Sequence, residues 1–122
     1  MSRGTGDNYM RRDMSGEMHI GLTNTLERLS TARQFDRVWQ RDGDVTIELY
    51  RPEGRDRQTP HDRDEFYMIV SGTGTFRRED ETVAFGPGDL LFVPAWMEHR
   101  FETFSDDFAT WVVFFGPVQQ RR

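Results

Sequence analysis

The spacing of apolar positions changes its period once along this chain of 122 residues. Between Leu22 and Arg33, leucines recur at helical intervals, and Asn24 and Glu27 stand three residues apart, as the N-cap and third position of a helix do. From Phe35 onward, apolar and polar residues alternate in short runs separated by Gly, Pro and Asp. The first pattern predicts a short helix, and the second predicts strands joined by turns.

The predicted strands are short and numerous. They fall at residues 35–39, 45–50, 61–71, 75–78, 82–85, 90–93, 99–104 and 108–115. Many short strands separated by turn signals are typical of a β-sandwich or barrel. The sequence therefore predicts an all-β fold with one short N-terminal helix.

The first twenty residues show neither period. They are rich in Gly, Met and charged residues, which predicts a flexible arm at 1–20 ahead of a single domain at 21–118. His19 lies in this arm, where a lone histidine is expected to be solvated.

Two predicted strands are apolar on both faces. Residues 66–70 read Phe-Tyr-Met-Ile-Val and residues 111–115 read Trp-Val-Val-Phe-Phe. A soluble monomer rarely exposes such contiguous apolar surface, so something must cover the outer side of these strands. The helix can cover part of it. A second subunit is the natural cover for the rest, which predicts a homodimer.

Composition excludes several kinds of chemistry. The chain has no cysteine, and all 16 basic residues are arginine, so disulfides, thiolate sites and lysine nucleophiles are absent. A net charge of −5 with scattered arginines argues against a nucleic-acid partner. No apolar run is long enough to span a membrane or resembles a signal peptide, so we expect a cytoplasmic protein without a membrane partner.

The third predicted strand begins with residues that can bind a metal. If the strand starts at His61, then His61 and Glu65 share one face, because alternate side chains point the same way. His99 follows the strand at 90–93 and can bring a third ligand from a neighbouring strand. Two imidazoles and one carboxylate form a three-ligand site with open positions for one divalent ion such as Fe, Zn, Mn or Ni.

These residues also stand in two sequence motifs. Glu65 is followed by six residues and then Gly72, and His61 lies four residues before Glu65. In the second motif, Gly88 is followed by five residues, Pro94, and then His99 five positions later. On these motifs the chain resembles the cupin family of small metal-binding β-barrels. The resemblance implies a double-stranded β-helix, or jelly roll, and a range of activities that includes dioxygenases, isomerases, decarboxylases and lyases.

The chain departs from the cupin pattern at the remaining histidine. Counting back from Glu65 puts Thr59 at the first histidine position of the family. Alternatively, His61 is that first histidine and Arg63 occupies the second position. In both alignments one of the four usual ligands is missing. Trp96 also stands where the second motif often has Gly, and Thr103 where it often has Asn.

Residues near the motifs are candidates for contacting a substrate, because ligand sites combine aromatic walls with a few polar groups. A cationic Arg63 near the metal would favour an anionic molecule, although the same side chain can instead pair with Glu65. The candidates are Gln58, Thr59, Arg63, Tyr67, Trp96 and Phe101.

Two classes of function are compatible with these features. One is a metal-dependent enzyme of dioxygenase, isomerase or lyase type acting on a small molecule. The other is a non-catalytic module that senses or binds a small molecule on the same barrel, because a fold does not determine a function.

Overall fold

The computed structural model of the protein describes residues 18–121. This part of the chain forms α1 (Leu22–Glu27), β1 (Phe35–Arg41), β2 (Val45–Tyr50), β3 (Asp64–Ser71), β4 (Gly74–Arg78), β5 (Glu81–Phe85), β6 (Leu90–Val93), β7 (His99–Phe104) and β8 (Ala109–Phe115). The predicted fold class is confirmed. Most of the predicted arm lies outside the described residues, and within them no helix is both long and apolar enough to cross a membrane.

The eight strands form two antiparallel sheets that enclose one core. The larger sheet has the order β1-β2-β8-β3-β6, and the smaller has the order β5-β4-β7. Apolar side chains from both sheets fill the space between them, and aromatic residues dominate this core. Its members are Tyr50, Tyr67, Ile69, Phe76, Phe85, Val93, Phe101, Phe108 and Val112.

Strand β3 sorts its side chains by strict alternation. Glu65, Tyr67 and Ile69 are buried, whereas Phe66 and Met68 are exposed on the opposite side. This is the period of two that a strand with one core-facing side requires. Glu65 is therefore the first core-facing residue of β3, at the end of the barrel where the strand begins.

Helix α1 has only half the predicted length, with six residues. Beyond the helix, Ser30 and Arg33 exchange backbone hydrogen bonds in a turn. Arg28 and Arg33 bind Asp36 of β1 at 2.9 Å and 2.7 Å, and Asp36 is only 2% exposed, so its charge needs these partners.

The outer face of the larger sheet remains apolar, as the sequence predicted. Phe66, Met68, Leu90 and Phe92 are between 37% and 58% exposed. The Phe66 ring lies 5.1 Å from that of Phe92 and 5.5 Å from that of Phe115. We call this surface, formed by β3, β6 and β8, the outer apolar face.

Candidate metal centre

Three ligand-type side chains meet at one end of the barrel. Glu65 comes from β3 in the larger sheet, His99 begins β7 in the smaller sheet, and His61 lies in the loop before β3. One ligand atom from each lies within 4.8 Å of the other two. Glu65 Oε1 is 3.1 Å from His99 Nε2 and 3.7 Å from His61 Nε2. The fold thus brings together the three predicted metal ligands.

Two of these residues are buried with polar atoms left unpaired. Glu65 and His99 are each 1% exposed. Both carboxylate oxygens of Glu65 and Nε2 of His99 lack a hydrogen-bond partner among the described residues. Leaving a buried polar atom unpaired costs about 1 to 3 kcal/mol. A divalent ion between these atoms would satisfy all of them, so the residues fit a metal.

The backbone sets the tautomer of His99. Its Nδ1 lies 2.9 Å from the carbonyl oxygen of Met97, which can only accept, so Nδ1 carries the proton and donates. Nε2 of the neutral ring then directs a lone pair toward Glu65. Nε2 of the neutral His99 ring and Oε1 of Glu65 are both acceptors, and they lie 3.1 Å apart. Such atoms attract each other only when a proton or a cation lies between them. Burial opposes the charged ring, but the Glu65 carboxylate outweighs it and raises the pKa of His99.

His61 reaches the same point from outside the strand. Because β3 begins at Asp64, alternation along the strand does not orient His61. Two contacts do so instead: its carbonyl oxygen accepts a hydrogen bond from the Trp96 backbone N–H at 2.7 Å, and its ring meets the edge of Phe114 at 5.0 Å. Burial lowers the pKa of His61, which favours the neutral form that binds metals.

A polar network adjoins the three residues. Oε1 of the buried Gln58 accepts a hydrogen bond from the Tyr67 hydroxyl at 2.9 Å and lies 3.3 Å from His61 Nε2. The Tyr67 side chain is fully buried. Thr59, the next residue after Gln58, is exposed, and no contact joins it to the cluster within the described range. Gln58, and not Thr59, lies beside the candidate ligands.

Asp56 supports this network and was missed by the sequence analysis. It is 1% exposed and accepts hydrogen bonds from the Tyr50 hydroxyl at 2.6 Å, from the Phe101 N–H at 2.9 Å and from the Gln58 side-chain amide at 3.0 Å. Nothing in the local sequence distinguishes Asp56 from a solvated loop residue, because its donors come from other strands. Phe101 itself lies in the core, with its ring 4.8 Å from that of Tyr67.

Arg63 turns away from Glu65. Its Nε donates to the carbonyl oxygen of Gly116 at 3.0 Å, and its Nη1 donates to the Thr46 hydroxyl at 3.2 Å. Within residues 18–121, no ion pair joins Arg63 to a carboxylate. The alternative ion pair with Glu65 is therefore not formed, and the guanidinium keeps its charge at the rim of the barrel.

Trp96 adopts a backbone conformation that usually requires glycine, with φ of 66°. A left-handed conformation costs a non-glycine residue about 1 to 2 kcal/mol. Its indole N–H donates to the carbonyl oxygen of Gln119 at 2.7 Å, and the Arg121 guanidinium lies 5.4 Å from its ring. The C-terminal segment thereby holds the turn that precedes His99.

A comparison with known protein families identifies the family of this chain. The family model described as "Cupin domain" matches residues 46–115, which include all three candidate ligands. The chain belongs to the cupin family. A glycine is common in this family where Trp96 stands, and the positive φ of Trp96 gives the physical reason.

Several proteins of known sequence or structure are similar to the chain over most of its length. An uncharacterized protein from Streptomyces coelicolor is 34% identical over 79 residues, covering 63% of this chain and 75% of its own. A cupin-2 domain protein from Shewanella frigidimarina has a TM-score of 0.63 with 16% identity, covering 80% of this chain and 94% of that one. The DMSP lyase DddQ from Ruegeria pomeroyi has a TM-score of 0.59 with 20% identity, covering 84% of this chain and 57% of that one. These structures share the cupin fold with this chain.

Proposed function

We propose that this cupin binds one divalent metal through His61, Glu65 and His99 and acts on a small anionic molecule. The observation that carries the metal proposal is the convergence of one ligand atom from each of these residues within 4.8 Å, with Oε2 of the buried Glu65 left without a partner. When bound, a divalent ion such as Fe, Zn, Mn or Ni would supply a Lewis acid with open positions for a substrate oxygen. A lyase among similar cupin structures supports an enzymatic role.

The anionic class of substrate follows from Arg63. Its guanidinium contacts Thr46, which pairs across β8 with Phe114, and Phe114 pairs in turn with Glu65. Paired residues share a sheet face, and neighbouring strands lie about 4.8 Å apart, so the backbone of Thr46 lies roughly 10 Å from that of Glu65 at the same end of the sheet, with the Arg63 cation beside Thr46. A small molecule with an anionic group can span that distance, with its other end at the metal.

Other residues would shape the space between the metal and the Arg63 guanidinium. The exposed 27% of the His61 side chain marks where the cluster opens to solvent. Trp96 lies beside the His61 loop, and its indole can form an apolar wall there. Tyr67 and Gln58 place polar atoms next to His61, whereas Thr59 and Phe101 remain candidates without a contact to the cluster.

Metal analysis of the untagged protein tests this function. Protein expressed in medium supplied with Fe, Mn, Zn and Ni is expected to contain about one divalent ion per chain, because a two-histidine, one-carboxylate site holds one ion. Relaxation of water protons by bound Mn²⁺ should reveal exchangeable water, as a catalytic site requires. Folded protein without any metal would contradict the proposal and favour the non-catalytic binding module.

We further infer that a second copy of the chain covers the outer apolar face. Its exposed aromatic and aliphatic side chains adjoin an apolar groove of about 330 Å³. Residues of β1, β2, β3 and β8 line this groove together with Ile20, so the apolar surface continues across the larger sheet. Such contiguous apolar surface is rare on soluble monomers and typical of interfaces.

A cytoplasmic location also stays a prediction.

Light scattering at micromolar concentration is expected to give twice the mass of the chain. Met68→Glu, which places a charge at a position 45% exposed in the middle of this face, should produce a monomer, because a buried unpaired charge opposes association. Val118→Glu is the matched control, since Val118 is 66% exposed outside the face. A wild-type protein that runs as a monomer would exclude the dimer.

A further inference from the structure

We propose that Gln58 is a fourth protein ligand of the metal, bound through its side-chain oxygen; this rests on the proposed metal centre. Gln58 is 6% exposed, and its Oε1 lies 3.3 Å from Nε2 of His61. An amide oxygen is a normal ligand for hard and borderline divalent ions. The site would then comprise two imidazole nitrogens, one carboxylate and one neutral oxygen.

The separations between donor atoms support this assignment. Bonds from Zn²⁺ and similar ions to nitrogen or oxygen are about 2.0 to 2.2 Å long, so neighbouring ligand atoms at angles of 90° to 110° lie about 2.8 to 3.6 Å apart. Gln58 Oε1 and His61 Nε2 are 3.3 Å apart, and Glu65 Oε1 and His99 Nε2 are 3.1 Å apart. The distance of 3.7 Å between His61 and Glu65 needs only a small adjustment. The distance from Gln58 to His61 thus falls within the range expected for two ligands of one ion.

Asp56 decides which end of the Gln58 amide points to the site. A carboxylate accepts and does not donate, so the Gln58 atom 3.0 Å from Asp56 Oδ2 is the NH₂ group. The oxygen must then point toward Tyr67 and His61. Tyr67 donates one hydrogen bond to this oxygen, at 2.9 Å, and Nε2 of His61 donates a second, at 3.3 Å. When His61 shifts its proton to Nδ1, Nε2 and the second lone pair of the Gln58 oxygen both become available to a cation.

The neighbouring residues offer no comparable ligand. Thr59, which stands at the first histidine position of the family, is exposed and makes no contact with the cluster within the described range. Arg63, the other residue that alignment allows, cannot ligate a cation. Gln58 precedes Thr59 by one residue. The side chain of Gln58 lies beside His61, whereas that of Thr59 is exposed.

A fourth protein ligand restricts what the metal can bind. With four positions taken by protein, a six-coordinate ion keeps at most two open positions. The substrate would then reach the metal through one or two oxygens, while its anionic group contacts Arg63. The neutral amide adds no charge, so a divalent ion in this site retains a net charge of about +1 to attract an anion.

Mn²⁺ binding to two single-residue variants tests this assignment. Gln58→Ala is expected to weaken Mn²⁺ affinity by about tenfold or more, since even residues that only support ligands contribute tenfold to a hundredfold. Water-proton relaxation should show one more exchangeable water on the bound ion, because water replaces the lost oxygen. Gln34→Ala, the matched control, removes the same amide from a residue outside the site and should leave affinity and water number at wild-type values. Circular dichroism of the metal-free proteins should show that both variants are folded.

Each outcome has a distinct meaning. Gln58→Ala with wild-type affinity, in a protein that loses the metal on His99→Ala, would overturn the role of Gln58 and leave the proposed function intact. Weaker binding without an additional water would also overturn it, because Gln58 would then act only by orienting His61. A wild-type protein that takes up no Mn²⁺, Fe²⁺ or Zn²⁺ would instead remove the metal centre itself.

Discussion

His99→Ala is expected to reduce metal content from about one ion per chain to near zero. The substitution removes the only candidate ligand supplied by the smaller sheet within the described residues, and open metal sites need three protein ligands to hold a divalent ion firmly. Glu65→Ala and His61→Ala should have the same effect, because each also leaves only two of the three imidazole and carboxylate ligands, and the neutral amide of Gln58 does not replace the one removed. Metal analysis after dialysis against a weak chelator measures the loss.

The fold should survive these substitutions. Neither Glu65 nor His99 belongs to the apolar core of the barrel, so each substitution should lower stability by breaking their buried pair but leave the fold intact. His19→Ala is the control, since His19 is exposed and lies outside the cluster. Circular dichroism should be unchanged in all four variants. If each single substitution retained full metal occupancy, the ion would have to bind elsewhere.

Gly72→Ala is expected to destabilise the protein by about 2 to 5 kcal/mol, the sum of a left-handed backbone cost and overpacking. Gly72 has φ of +88°, and a Cβ atom there would lie 2.5 Å from Cα of Phe108. The same atom would lie 2.8 Å from Oγ of Ser105. Because a backbone atom is the obstacle, the contact cannot be relieved by rotating a side chain. The change in free energy of unfolding can be measured by urea denaturation.

A second glycine separates the two causes. Gly54 has φ of +77°, but a Cβ atom there would have no neighbour within 4 Å. Gly54→Ala should therefore cost only about 1 to 2 kcal/mol, from the backbone alone. Equal losses for the two variants would show that the approach of Phe108 to Gly72 does not contribute.

The strands were predictable from sequence because their cause is local. Along β3, alternating burial of Glu65, Tyr67 and Ile69 follows from one core-facing side, and the turns around it carry glycine. The length of α1 was not predictable, because the residues after it contact another element: Arg28 and Arg33 both bind Asp36 of β1. The spacing of apolar residues within one segment carries no information about contacts with another element.

The sequence by itself determined the all-β fold and named His61, Glu65 and His99 as residues that could share a metal. Spacing within motifs is enough for this, since each motif is one strand with its flanking turns. It also located the apolar outer side of β3, because that property belongs to one strand.

Tertiary structure alone decided which neighbours complete the site. His61 precedes the strand, so alternation does not orient it, and a hydrogen bond from Trp96 holds its loop. The burial of Gln58 and the exposure of Thr59 likewise depend on Asp56, whose donors come from β2 and β7 as well as from Gln58 itself. Outside regular strands the backbone has no fixed period, and long-range hydrogen bonds set the direction of each side chain.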